Sequence, residues 1–296
     1  LNEIQNSFQQ ILPFGFSLDG DTLYSLTSLG VIVQNINDIT NPINIGSLDL
    51  NDGSSIKVDM LGDTAFVWDY EWDKIHIVDL TTPASPEDIG FINLSFEQRT
   101  DNNPFVTKRT SMGNYLYARS NDVEINDQGY VYDSLIVYDV SDLSNINIVS
   151  SITNLPGFTN VSVKLDGDFL FTASIEVSTG NGPRSYLMIY SIENPVNPVF
   201  IDSLFLSSGT HSENLVIDGN YVYISEHPWT HCCQDYNIHI CDISNPEDAT
   251  LIGTYSHIDD GSGGGNLGFD ASNGYIYVAA QNYIEIVDAT DPSNPI

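Results

Sequence analysis

Residues 238–249 read Ile-His-Ile-Cys-Asp-Ile-Ser-Asn-Pro-Glu-Asp-Ala: a short apolar run, an aspartate, then a turn rich in Asp, Asn and Pro. The phrase recurs along the chain. It is written Val31-Ile32-Val33-Gln34-Asn35 before INDITNP, Ile75-His76-Ile77-Val78-Asp79 before LTTPASP, and Leu135-Ile136-Val137-Tyr138-Asp139 before VSDLSN. Leu187-Met188-Ile189-Tyr190-Ser191 precedes IENPVNP, and Ile284-Glu285-Ile286-Val287-Asp288 precedes ATDPSNP. Anchored on Asn35, Asp79, Asp139, Ser191, Asp242 and Asp288, the period runs from 44 to 60 residues. Six copies at that spacing mark a repeat architecture.

A second phrase precedes each copy: a tight turn, then an aromatic-apolar-aromatic strand. Asp19-Gly20-Asp21 leads into TLYSL, Gly62-Asp63 into TAFVW, and Gly113-Asn114 into YLYAR. Asp166-Gly167-Asp168 leads into FLFTA, Asp218-Gly219-Asn220 into YVYIS, and Asn273-Gly274 into YIYVA. Asp-Gly and Asn-Gly between alternating runs are strong hairpin signals, because primed turns need positive φ. Each repeat therefore reads strand a, hairpin, strand b, loop, strand c, Asp/Pro turn, strand d. No segment shows capped helical periodicity. Four antiparallel strands repeated six times predict an all-β, six-bladed β-propeller. It is a single domain with repeats near 14–50, 54–94, 106–155, 159–206, 212–258 and 263–296. The last copy stops where its strand d should begin, so residues 2–12 are expected to supply that strand and close the ring. Closure would remove an exposed sheet edge.

The strand-c phrase, plainest as IHIVD and IEIVD, resembles the LVIVD repeat of bacterial and archaeal surface propellers. THSENLVIDGNYVYISE at 210–226 resembles that family's strand a–strand b unit, and the resemblance spans about residue 14 to 296. It implies a propeller whose usual setting is a secreted or surface protein, and it implies no shared catalytic residues. Ser191 and Asn35 depart from the motif's aspartate.

Composition narrows function by exclusion. Eight Lys+Arg against 40 Asp+Glu give a net charge of −32, which argues against nucleic-acid backbones and anionic lipid surfaces, since both require clustered cations. With 41% hydrophobic and 11% aromatic residues the chain is no disordered polyanion. No apolar run approaches the roughly 18 residues of a membrane helix, and no signal peptide is evident. A start at Leu1 reads as a mature or trimmed form. Acidic, Lys-poor, Ser/Asn/Thr-rich composition suits an extracellular or cell-surface setting, outer-membrane association included.

Topology sorts residues by face. The a–b and c–d turns share one end of the blades, where their Asp, Asn and Gly residues read as turn chemistry rather than calcium ligands. The aspartate ending strand c is expected to cap the following turn through its own backbone. The other end carries long b–c loops in repeats 3, 4 and 5, at 120–134, 175–185 and 226–236, and a long connection at 94–107. Long loops on one face of a rigid scaffold are where function concentrates.

Candidate residues follow from that face. The repeat-5 loop holds His227, Trp229, His231, Cys232 and Cys233, and His211 opens strand a of the same blade. Three readings stand for this loop: an N/S metal site from His227, His231 and a cysteine; a disulfide between Cys232 and Cys233; or packing of Trp229 and the cysteines as a cap. Cys241 reads as core. In repeat 3, Asp122, Glu124 and Asn126 alternate oxygen ligands before Gly129, which suggests calcium, but the closing bidentate Glu is missing and a solvated acidic loop is the favoured reading. Arg99, Lys108, Arg109 and Arg119 are four of the eight cations, a local positive site that would suit a carboxylate or sulfate, unless they pair with nearby acids.

These readings predict a non-catalytic surface binding or scaffold module that presents the b–c loops of blades 3 to 5 to a protein or glycan. Arg109, Arg119, His211, His227, Trp229 and His231 are its ligand-binding candidates, and calcium is the one cofactor suggested. No Ser-His-Asp order, close carboxylate pair or phosphate loop stands out. The competing class is a secreted carbohydrate-active hydrolase or lyase built around His211, His227 and Arg109. A third is a surface lipoprotein subunit of an outer-membrane complex.

Overall fold

Each Asp-Gly or Asn-Gly phrase closes a hairpin, and these hairpins set the register of everything that follows. Asp218 pairs with Tyr221 across the turn, with Gly219 at φ 59°, a conformation that costs a glycine nothing. Asn273 does the same work at φ 54° in the last repeat, as the one non-glycine residue with positive φ among the described residues. The computed structural model describes residues 15–27, 30–50, 55–69, 74–94, 105–120, 134–153, 158–176, 182–228, 236–257, 268–279 and 283–296.

The fold is a six-bladed β-propeller, all antiparallel strand apart from one 3-10 turn at Pro246–Asp248 among the described residues. The chain divides into two compact units, Leu1–Arg99 and Thr100–Ile296. In the first unit, blade 1 is β1 (Gly15–Asp19), β2 (Thr22–Thr27), β3 (Gly30–Asn35) and β4 (Ile43–Asp49). Blade 2 is β5 (Ser55–Leu61), β6 (Thr64–Asp69), β7 (Lys74–Asp79) and β8 (Glu87–Asn93).

In the second unit, blade 3 is β9 (Phe105–Thr110), β10 (Gly113–Ser120), β11 (Ser134–Asp139) and β12 (Asn147–Thr153). Blade 4 is β13 (Phe158–Asp166), β14 (Phe169–Glu176), β15 (Arg184–Ser191) and β16 (Val199–Ser208). Blade 5 is β17 (Thr210–Asp218), β18 (Tyr221–Pro228), β19 (Tyr236–Asp242) and β20 (Thr250–His257). Blade 6 shows β21 (Phe269–Ser272), β22 (Tyr275–Ala279) and β23 (Ile284–Asp288), each hydrogen-bonded to the next in order. Three strands are described there rather than four. Asp288 and Ile296 exchange both backbone bonds (2.7 and 2.9 Å), the same eight-residue offset that starts strand d at Thr250 opposite Asp242. Residues 2–12, expected to complete that sheet, lie outside the described residues.

The aspartate of the repeated phrase caps its turn as expected. The carboxylates of Asp79, Asp139, Asp242 and Asp288 accept from the backbone N–H two residues on, at 2.8 to 3.0 Å. The two departures keep the device: Asn35 accepts from the N–H of Asn37 at 3.0 Å and Ser191 from that of Glu193 at 3.4 Å. A backbone bond from the next residue ties the c–d turn to the a–b hairpin, for example Leu80 N–H to Asp63 O and Ile243 N–H to Asn220 O, both 2.8 Å.

Blades pack through apolar faces on both sides, which is why strands b and c lack simple alternation. In the second unit, Val222, Ile224 and Cys241 bury against Phe171, Ala173, Leu187 and Ile189 of blade 4. Tyr223, Ile238 and Ile240 bury against Ile276, Val278 and Val287 of blade 6. Each such side chain contributes roughly 1.5–3 kcal/mol of transfer free energy. In the first unit, Val31 and Val33 meet Ala65, Val67 and Val78 in the same way. No helix among the described residues is long and apolar enough to cross a membrane.

Candidate functional site

The two ends of the blades carry different chemistry. At the a–b and c–d end, acids are engaged in turn geometry. Asp38, Asp142 and Asp291 each bind both the N–H and the hydroxyl of the residue two positions on. These bonds hold the carboxyls of Asp38 and Asp142 below the ordinary range. Lys108 belongs here: its Nζ donates to Gly167 O at 2.5 Å and to Asp168 Oδ1 at 3.0 Å, linking blade 3 to the first hairpin of blade 4. It is an ion pair between blades, not a ligand for an anion.

Arg109 is exposed at the same end, paired in register with Asn114 beside the hairpin. His211 sits at the far end of its own strand a, seven residues before Asp218 closes the turn. The structure therefore does not bring Arg109 together with His211 and His227, as the hydrolase reading supposed. The physical reason is that height along strand a is set by distance from the hairpin. Arg119 closes strand b of blade 3, with its backbone at the loop end opposite Leu135.

At the loop end of blade 5, His211 of β17 stands directly opposite His227 of β18. Paired positions point to one face of a sheet, and the two rings lie 5.4 Å apart between centroids at 21°. The register then slips between Ser212 and Asn214, a bulge that includes Glu213. Glu213 Oε1 lies 3.0 Å from His227 Nδ1, both side chains partly exposed at 25% and 31%. The Glu213 carboxylate beside it draws the His227 imidazole up from its ordinary value, against the opposing effect of burial. His211 is pushed down, first by burial and then by the charge of His227.

Deeper in the same blade lies a sealed polar cluster. Glu226, fully buried at the end of β18, accepts on Oε2 from Ser207 Oγ (2.5 Å), Thr210 Oγ1 (3.0 Å) and the His239 ring at Nε2 (2.9 Å). The other His239 nitrogen meets Thr254 Oγ1 at 2.9 Å across strand d. Burial alone would raise the Glu226 carboxyl, but the hydrogen bond and charge of His239, with the two hydroxyls, outweigh it and hold the group below its ordinary value. Its Oε1 has no protein hydrogen-bond partner among the described residues. The constellation recurs in blade 2: Asp69 ends strand b, fully buried, and His76 Nδ1 binds Asp88 Oδ2 at 2.9 Å with Nε2 3.9 Å from Asp69. In register, Asp69 and His76 occupy the positions of Glu226 and His239.

A third group joins blades 5 and 6. Glu285 accepts from Tyr255 OH at 2.7 Å, from Tyr236 OH, and meets His257 Nδ1 at 3.2 Å. The Tyr236 and His257 rings stack at 4.8 Å. These bonds hold the Glu285 carboxyl down against burial. Five of the six histidines of the chain fall between 211 and 257, so blade 5 concentrates the imidazoles. The sequence reading singled out His211, His227 and His231 and missed His239, Glu226 and Glu285. The acid closing strand b combined with IHI in strand c, present only in repeats 2 and 5, is the signal that would have found the buried pair.

Of the other sequence candidates, Asp122, Glu124, Asn126, Trp229, His231, Cys232 and Cys233 lie outside the described residues. Cys241 is buried core with a free thiol, pushed up by burial first and by Glu226 second. Among the described residues no group of three or more His, Cys, Asp or Glu side chains is placed to hold a metal ion.

Repeated four-stranded sheets with these turn caps define a propeller of short sequence repeats. The sequence signature of the LVIVD repeat matches residues 209–257 and 269–296, so blades 5 and 6 are similar to that family's repeats. No curated protein matches the sequence. Solved structures do match the fold. A Lactobacillus plantarum protein aligns with a TM-score of 0.65 at 12% identity, covering 96% of this chain and 83% of its own. A Bacteroides uniformis protein provisionally named a 6-phosphogluconolactonase gives 0.68 at 13%, over 94% and 80%. A periplasmic gluconolactonase of Pseudomonas aeruginosa gives 0.65 at 12%, over 92% and 79%. At such identities the likeness is one of fold alone.

Proposed function

We propose that the protein is a non-catalytic binding module of the cell surface or extracellular space, presenting the b–c loop end of blades 3 to 5 to a protein or glycan. The division of chemistry between the two ends supports this reading most strongly. Turn-end acids are engaged in backbone geometry, whereas His211, Glu213 and His227 stand partly exposed at the opposite end of blade 5. The acid–imidazole pair of Glu226 and His239 is buried away from solvent, which disfavours proton exchange with a substrate. Acidic, Lys-poor composition supports the surface setting.

A second reading, a carbohydrate-active hydrolase, draws on one observation: His227 is oriented by Glu213 as a general base is oriented by an acid. The two neighbours named for gluconolactone chemistry make sugar lactones its first substrates to assay. Pull-down from the source membrane, paired with a glycan array and a lactone-hydrolysis assay, separates the readings. Binding without turnover, weakened at least tenfold by His227→Ala, is the expected result. Lactone hydrolysis that disappears in His227→Ala would establish the enzyme instead, and co-purification with a fixed outer-membrane assembly would indicate the subunit role.

A further inference from the structure

We propose that His211 and His227 form a two-imidazole site for a divalent first-row transition ion, Cu2+, Ni2+ or Zn2+, with Glu213 orienting His227. This goes beyond the binding reading and stands whether or not that reading holds, since the ion needs no macromolecular partner.

Three features of the geometry carry it. First, the two imidazoles occupy directly paired positions on adjacent antiparallel strands, on one face of the sheet, with ring centroids 5.4 Å apart. Two nitrogens bonded to one ion at about 2.0–2.1 Å place their rings at about this separation. Second, Glu213 Oε1 is 3.0 Å from His227 Nδ1. A carboxylate on Nδ1 keeps the proton there and leaves Nε2 as the donor atom, the outer-sphere arrangement metal-binding histidines use. Glu213 is the residue that the strand bulge leaves out of register, between the Ser212–Glu226 and Asn214–Ser225 pairs, and its carboxylate reaches His227. Third, both side chains of the ion pair are 25–31% exposed, so an ion can enter and solvent can complete its coordination.

Ion choice follows from the donors. Imidazole nitrogen suits copper, nickel and zinc and is a poor ligand for calcium or magnesium, which take oxygen. The overall charge of −32 raises the local concentration of any cation.

Titration of the whole chain with NiCl2 and ZnCl2 by calorimetry tests this, together with the copper-loaded electron paramagnetic resonance spectrum. One equivalent should bind, with hyperfine structure from two nitrogens on copper. His211→Ala and His227→Ala should each weaken binding at least tenfold, and Glu213→Gln about tenfold. His257→Ala and the double change Cys232→Ser with Cys233→Ser should leave binding intact. The spectrum of the unmodified protein keeps the test decisive if an alanine variant fails to fold. Copper without nitrogen coupling, affinity unchanged in both folded histidine variants, or binding abolished by the cysteine changes alone would overturn the assignment.

Discussion

Glu226→Ala is expected to lower the thermal midpoint by about 10 °C. The carboxylate is fully buried and holds two hydroxyls and an imidazole on one oxygen. Its removal leaves Ser207, Thr210 and His239 without their acceptor. Breaking a buried charged pair from one side costs roughly 3–5 kcal/mol, and in a chain of this size each kcal/mol moves the midpoint by about 2–4 °C. Glu226→Gln keeps the shape and one acceptor and should cost less. The effect carries a pH signature. The folded carboxyl titrates below its unfolded value, so its contribution is full above about pH 4.3 and is lost as pH falls through the lower folded value. The midpoint difference between wild type and Glu226→Gln should therefore shrink on acidification below pH 4. A variant that melts with the wild type at pH 7, or a difference that grows in acid, would mean the cluster is not built on an ionised Glu226.

Gly253→Val should destabilise by about 3 kcal/mol, the upper end of what overpacking costs. Gly253 lies in strand d of blade 5 opposite Ile240, and a Cβ placed on it runs into the carbonyl oxygen of Pro292 in the c–d turn of blade 6. Gly46 meets Pro83 of blade 2 in the same manner within the first unit. Backbone cannot rotate aside as a side chain can, so strand and turn must separate. The equivalent positions opposite strand c are Ser150 in blade 3 and Asp202 in blade 4, so the repeat itself tolerates a side chain there. Chemical denaturation comparing Gly253→Val with Ser150→Val measures the difference. Equal small losses at both sites would show that the approach of Pro292 is not limiting.

The architecture was legible because the determinants are local. A hairpin needs two residues with the right φ, and an aspartate that caps its own turn needs only the next two residues. Both devices are repeated, and even the Asn35 and Ser191 departures preserve them. The site was less legible because its contacts are cross-strand or between blades. His239 reads as one more strand residue until the register sets it beside Glu226 and Thr254. Glu285 reads as an exposed strand residue until Tyr236, Tyr255 and His257 of the neighbouring blade reach it. The hydrolase reading set Arg109 beside His211 and His227, whereas its distance from the hairpin places it at the other end of its blade. The Ile-Gly pairs at 45–46, 89–90 and 252–253 recur in strand d without any turn signal, and the approach of neighbouring turns to two of them is visible only in three dimensions.

The charge of −32 takes on a different meaning in this structure. Many of its carboxylates hold turns at one end of the blades, while at the other end a few acids orient or saturate histidines. The end proposed for binding is thus marked by imidazole rather than by net charge. The most direct test of that division compares partner or glycan capture by wild type, His227→Ala and Arg109→Ala under identical conditions. Capture lost in His227→Ala and retained in Arg109→Ala is the expected result. Capture that survives His227→Ala and fails in Arg109→Ala would place function at the turn end and contradict the account.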